Sequence, residues 1–204
     1  MIINSDHIVN SKQISSTVST KTQIILAHTS STLEEYFTKI EKRYYGAYDF
    51  VFTFTIGQDG AVYEHYNPRH FSKHFNNMNI DRQIISVALE NIGWLKQNTS
   101  AQNIDWKGHI YNGEVVEKIW RGKNIWAVYT PQQVNALLEF LPLLIEEHNI
   151  EPNFSGNNLP MADPHKFKGL LNRSNYMKFY YDLSPAFDFE LITKMLNKHK
   201  QPSQ

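Results

Sequence analysis

His28 closes the run QIILAHTSS over residues 23–31, and an imidazole placed there can serve as a metal ligand or a general base. Small and β-prone apolar residues followed at once by a Thr/Ser cluster read as a buried strand that stops on the histidine. Side chains alternate along a strand, so Ile24, Leu26 and His28 share one face, an apolar stripe ending in an imidazole where the sheet opens. A plain hydrogen-bonded histidine at a sheet end fits the same nine residues, and on them alone both readings stand. Three further histidines, His65, His70 and His74, fall in a polar loop. The chain has no cysteine, which excludes disulfides, thiolate zinc sites and cysteine nucleophiles. With 11 Tyr and 12 Phe, there are rings enough for a lined groove as well as a core.

Several elements must position these groups. After the first strand, Ser31 and Glu34 have capping-box spacing, and Leu33, Phe37, Ile40 and Tyr44 recur at helical intervals, predicting a helix to about Arg43. The alternating run 50–56, the turn Gly57-Gln58-Asp59-Gly60 and the run 61–64 predict a β-hairpin with Phe52, Phe54 and Ile56 on one face. The run IISVALE over 84–90 predicts a central strand. Thr130-Pro131-Gln132-Gln133 combines an N-cap, a first-turn proline and a capping glutamine, starting a helix to about His148 that Pro142 should kink. A last helix is expected from about Asp188, with Phe189, Ile192 and Leu196 facing inward. Strands and helices in this order predict an α/β fold, a mixed central β-sheet with helices on its faces.

The 204 residues suit one domain with a full core, or a domain carrying one large insertion. Residues 1–22 read as a non-periodic N-terminal extension and 23–204 as one domain. Within it, 92–129 is an aromatic-rich insertion of short strands and loops containing Trp94, Trp106, Trp120 and Trp126. Lys plus Arg equals Asp plus Glu at 20 each, so there is no basic footprint for nucleic acid. No apolar run reaches the ~18 residues of a membrane span. The polar start MIINSDHIVNSKQISS does not read as a signal peptide, and a cytoplasmic location is expected.

Taken in order, ILAHTSS, FTFTIGQDGAVYE, IISVALEN, YTPQQVNALLEFL and DLSPAFDF resemble the type 2 N-acetylmuramoyl-L-alanine amidases. Phage lysozyme-type amidases and peptidoglycan recognition proteins share that fold. The resemblance covers residues 22–195 and implies a zinc site on a mixed sheet, cleaving the bond between the lactyl group of N-acetylmuramic acid and L-alanine. On that resemblance His28 matches the first zinc ligand, and Asp182, in Asp182-Leu183-Ser184-Pro185-Ala186-Phe187, matches the last. His74 falls where family members contact substrate, although a solvated loop residue fits it equally.

Four functional positions depart from the pattern. The second ligand histidine is replaced by Arg173, nine residues before Asp182; a guanidinium has no lone pair for a metal and stays protonated. The catalytic glutamate's position is Ala88, the catalytic tyrosine's is Phe52, and the lysine two before the last ligand is Tyr180. These departures point to an amidase fold without zinc or hydrolysis, binding a muropeptide-like or other small anionic ligand in a groove formed by His28, Phe52, His74, Trp94, Arg173 and Asp182. In that reading Arg173 and His28 face Asp182, an internal ion pair replacing the metal. The alternative is an active zinc amidase, an endolysin or a cell-wall recycling enzyme, with a relocated site. Glu90, ~7 Å along the strand from Ala88, would then be the catalytic group, and His165 a zinc ligand alongside His28 and Asp182. A third possibility is an adaptor that meets a protein partner through the tryptophan-rich insertion.

Overall fold

The computed structural model describes residues 2–9, 12, 14–42 and 50–200. Among the described residues ten strands form two sheets. β1 (Ile3–Asn4), β2 (Gln23–His28), β3 (Phe54–Ile56), β4 (Val62–Glu64) and β5 (Ile84–Leu89) belong to the first. β6 (Trp94–Gln97), β7 (Asn103–Ile104), β8 (Val115–Trp120) and β9 (Lys123–Ala127) make the second, and β10 (Gly169–Asn172) returns to the first. The six-stranded order is β1-β4-β3-β5-β2-β10. β3, β5, β2 and β10 run parallel, β4 is antiparallel to β3, and β1 is parallel to β4. The expected mixed sheet is therefore present, with β2 and β5 buried along their full lengths, as parallel strands covered on both faces must be.

One face is covered by α3 (Pro131–His148) and α5 (Glu190–Lys200), whose Leu137, Leu141, Leu144, Ile192 and Leu196 pack on Ile24, Leu26, Phe54 and Val87. α1 (Leu33–Lys42) lies on the other face with Tyr36 and Ile40 against Ala27 and Ala88. Truncating a core residue such as Leu137 to Ala would cost about 2–5 kcal/mol. α2 (Met78–Asp81) and α4 (Arg173–Tyr176) are single turns, and Pro164–Lys166 forms a short 3₁₀ turn. Among the described residues no helix is long and apolar enough to cross a membrane.

Several local expectations are corrected. α1 is capped one residue later than the capping box suggests: Thr32 Oγ1 accepts from the Glu35 N–H, while Ser31 bridges to Asn91. The predicted end at Arg43 and the apolar position Tyr44 lie outside the described residues. In the hairpin only residues 54–56 join the ladder, because the Phe52 N–H goes to the Tyr36 hydroxyl and the Thr53 N–H to Ser86 Oγ. That break in the alternation puts Phe52 on the α1 face and leaves Phe54 and Ile56 on the α3 face. α3 continues as one helix past Pro142, the residue at which a kink is expected, with Leu141 and Leu144 buried around it. The capping box at its start forms as expected, Thr130 with Gln133.

Residues 2–9 and 14–22 wrap the sheet edge through main-chain bonds such as Val9 to His65 and Ser19 to Arg69. The second sheet has the order β7-β6-β9-β8. None of the four tryptophans belongs to the main core: Trp126 is buried in the second sheet and donates to the Lys118 carbonyl, whereas Trp106 is half exposed.

Candidate functional site

Three parallel strands end together where β2 stops at His28. The register Asn172 to Leu26 brings α4 to this end, so Arg173, its first residue, stands beside the last residues of β2. The carboxyl ends of parallel strands are where α/β sheets place their ligand sites. Asp182 arrives from the segment after α4, which is anchored by the Ser174 N–H donating to the Asp182 carbonyl.

Asp182 Oδ2 accepts from the Arg173 guanidinium at 2.6 Å and from the backbone N–H of His28 at 3.3 Å. Both charged side chains are buried. The guanidinium lies over the rings of Tyr180 at 4.2 Å, Phe52 at 5.4 Å and Phe50 at 5.5 Å, which suits a weakly hydrated, delocalised cation. Behind it His74 stacks on Phe50 at 4.7 Å and meets Phe52 edge-on; among the described residues neither of its ring nitrogens has a hydrogen-bond partner. Burial, and then the positive charge of Arg173, hold His74 well below the usual histidine range, so it is neutral.

His28 is buried, and its Nδ1 lies 3.2 Å from the Tyr129 hydroxyl. That hydroxyl also accepts the Ser184 N–H, and we assign its own proton to Nδ1, which leaves the imidazole proton on Nε2. Nε2 lies against Gly93, where a Cβ would come within 2.9 Å. Burial pushes the His28 ring down to about 4; Asp182 opposes this and Arg173 adds to it.

These groups open on a cavity of about 270 Å³ lined by His28, Trp94, Trp106, Arg173, Phe179 and Asp182, with Tyr180 and Tyr181 completing the wall. A larger groove, about 800 Å³, lies between β4 and the second half of α3 and shares none of these residues. The smaller cavity is the candidate site because a buried charge pair, a histidine, five aromatic rings and Ile92 converge on it, whereas the larger groove gathers no such set.

His28, Trp94, Arg173 and Asp182, named from the sequence, thus line one cavity. Phe52 and His74 do not line it but sit behind Arg173 as its aromatic backing. Glu90 points elsewhere: its two carboxylate oxygens accept the N–H groups of Leu33 and Gln58, both at 3.0 Å, tying the start of α1 to the hairpin turn. His165 is exposed in the 3₁₀ turn, whose Pro164 carbonyl accepts from the Gln23 side chain at the opposite end of β2 from His28. The sequence reading did not single out Tyr129, Gly93, Trp106 or Phe179 as site residues. Tyr129 could have been flagged by its place just before the α3 cap, and Trp106 by the aromatic insertion.

Zinc, which the resemblance implies, needs donors with lone pairs free at about 2 Å. Here Asp182 Oδ2 is occupied by a guanidinium, His28 Nδ1 by a hydroxyl proton, and Arg173 has no lone pair. Among the described residues no group of three His, Asp or Glu is placed to hold a metal. The residues present do not fit zinc.

No family model and no curated protein matches the sequence. Solved structures do match the fold. The N-acetylmuramoyl-L-alanine amidase LysC from Clostridium intestinale aligns with a TM-score of 0.52 at 15% identity, over 97% of this chain and 98% of that one. The Staphylococcus aureus hydrolase AmiA, solved with its ligand, aligns at 0.56 and 10% identity, over 98% and 83%. The E. coli amidase AmiD, in complex with anhydro-N-acetylmuramic acid-L-Ala-D-gamma-Glu-L-Lys, aligns at 0.55 and 12% identity, over 89% of this chain and 60% of that one. The chain has the amidase fold.

Proposed function

We propose that this amidase-fold chain binds a peptidoglycan fragment, or another small anionic ligand of muropeptide type, in the cavity beside His28, and that it does so without zinc and without hydrolysis. The observation that carries this reading is the Arg173–Asp182 pair: a permanent cation is bonded to the carboxylate that a metal would need. A peptidoglycan fragment is supported by AmiD, which holds a muropeptide as its substrate. The cavity's chemistry agrees. Trp94 and Trp106 offer faces for a sugar or an alanyl methyl, and Arg173 and the Nε2–H of His28 offer donors for a carboxylate or amide oxygen. We further propose that one domain spanning 23–204 carries this function, with 92–129 as an insertion that supplies the two tryptophans to the wall.

The test is to dialyse the purified protein against zinc, measure metal per chain, titrate it with muramyl dipeptide by calorimetry, and assay release of peptide from cell wall. Saturable binding with no bound zinc and no released peptide is the expected result. One zinc per chain together with peptide release overturns the loss of hydrolysis, and absence of any binding overturns the ligand.

A further inference from the structure

The segment 177–182 forms one wall of the cavity and carries Phe179, Tyr180, Tyr181 and Asp182. Within it a turn bond runs from the Tyr180 N–H to the Met177 carbonyl, and its end is tied through Asp182 to Arg173, to the His28 N–H and to the Ser174 N–H. A further grip on its middle comes from the tip of the β8–β9 hairpin. Arg121 Nη1 donates to the carbonyls of Lys178 (2.8 Å) and Tyr180, and Nη2 donates to the carbonyl of Asn158 (3.2 Å). The guanidinium rests over the Trp120 ring at 4.4 Å, and Tyr181 packs against Trp120 and Trp126. Among the described residues no carboxylate is bonded to Arg121. The planar fork is used for its geometry, to span carbonyls on two chain segments.

The backbone under this side chain runs against local preference. β8 and β9 are joined by two residues, Arg121 and Gly122, with φ of 49° and 74°. Two positive φ values in a two-residue hairpin mark a type I′ turn, which favours Asn-Gly. Among the described residues five non-glycines have positive φ, and the other four are Ser, Asn or Ala. A long side chain at a position made for asparagine is a local rule broken, and such breaks cluster where side chains serve function.

We infer that Arg121 is a positioning residue for the cavity: it holds the 177–182 wall in place from the aromatic insertion, so that the insertion sets the shape of the ligand site. The consequence for ligand affinity rests on the binding function proposed above; the positioning itself does not. Arg121→Asn separates the two roles, because it suits the turn better than arginine does while removing the fork. Arg121→Lys keeps the charge but reaches fewer carbonyls.

The experiment measures amide hydrogen exchange in wild type and both variants, alongside calorimetric titration with muramyl dipeptide. In Arg121→Asn, exchange at the Tyr180 and Ser184 amides should rise at least about tenfold while amides of β2 and β5 stay as in wild type, the mark of local opening. Affinity for muramyl dipeptide should fall by about tenfold through lost preorganisation, with Arg121→Lys intermediate in both readouts. Unchanged exchange in the wall overturns the inference, as does an equal rise in the central strands, which would make Arg121 a general stabiliser. If wild type binds no muramyl dipeptide, the proposed ligand fails, and the exchange measurement still decides the role of Arg121.

Discussion

Arg173 donates to Asp182 across 2.6 Å with both side chains buried, so the site is built around an ion pair internal to the chain. Removing one partner from such a pair strands the other charge in a poorly solvating place, at a cost of about 3–5 kcal/mol. Asp182→Asn should therefore lose stability in that range, read as a drop in the urea midpoint. Arg173→Met combined with Asp182→Asn should cost clearly less than the two single changes added together, since the double variant strands no charge. Additive losses would mean that the pair is not coupled.

The same pair predicts the response to metal. A Zn²⁺ ion bonded to Asp182 would stand ~5 Å from the guanidinium, a repulsion of about 7 kcal/mol at an effective dielectric of 20. Arg173→His removes that charge and adds a donor, and should raise zinc affinity measurably by equilibrium dialysis. Hydrolysis should stay absent until Ala88→Glu or Phe52→Tyr supplies a group to move a proton. A wild type that binds zinc as tightly as Arg173→His would contradict this.

The extent to which the sequence spoke for the structure follows from the strength of each local signal. β2, β5 and α3 were legible because six or more apolar or capped positions agree in period. β10 and α4 were not, because Gly169–Asn172 and Arg173–Tyr176 are four residues each and too short to show a period. The approach of His28, Arg173 and Asp182 could be expected only through the family resemblance, since spacing along the chain says nothing about distance across a sheet. Phe52 was assigned to the wrong face because side-chain hydroxyls from Tyr36 and Ser86 replace the ladder bonds there, and alternation in sequence does not reveal that. The hold of the insertion on the 177–182 wall was invisible for a related reason: Arg121 acts on backbone carbonyls, which every sequence has.

Acid should loosen the sheet edge through His65. This ring is fully buried; its Nδ1 is bonded to the His7 carbonyl and its Nε2 to Thr55 Oγ1. Burial lowers it to about 4, against a weaker opposing pull from the His7 bond. The unfolded chain takes up a proton near pH 6.5, while the folded chain does so only near 4, so the unfolded state binds more protons in that window. Stability conferred by neutral His65 is complete above pH 6.5 and declines as pH falls to about 4, with a slope of up to ~1.4 kcal/mol per pH unit. Urea midpoints measured from pH 7 to 4 should show this slope, and His65→Gln should flatten it by about one proton. An unaltered slope in that variant would assign the acid sensitivity to other groups.

Gly93 tests how the His28 ring is held. With φ at +86°, any side chain there is strained, at about 1–2 kcal/mol. A Cβ would also meet His28 Nε2 at 2.9 Å, closer than real contacts allow, so the ring would have to shift and its bond to the Tyr129 hydroxyl would be disturbed. Gly122 provides the control: its φ is +74°, and a Cβ there meets nothing within 4 Å. Gly122→Ala should cost only the backbone strain, about 1 kcal/mol. Gly93→Ala should cost that plus the loss of a buried hydrogen bond, about 1–3 kcal/mol more. The nitrogen resonances of the His28 ring, expected to show Nδ1 as acceptor and Nε2 as protonated in wild type, should move in Gly93→Ala and stay put in Gly122→Ala. Equal destabilisation of the two variants with unmoved ring resonances would show that Gly93 is required by its backbone alone and that nothing fixes the imidazole from that side.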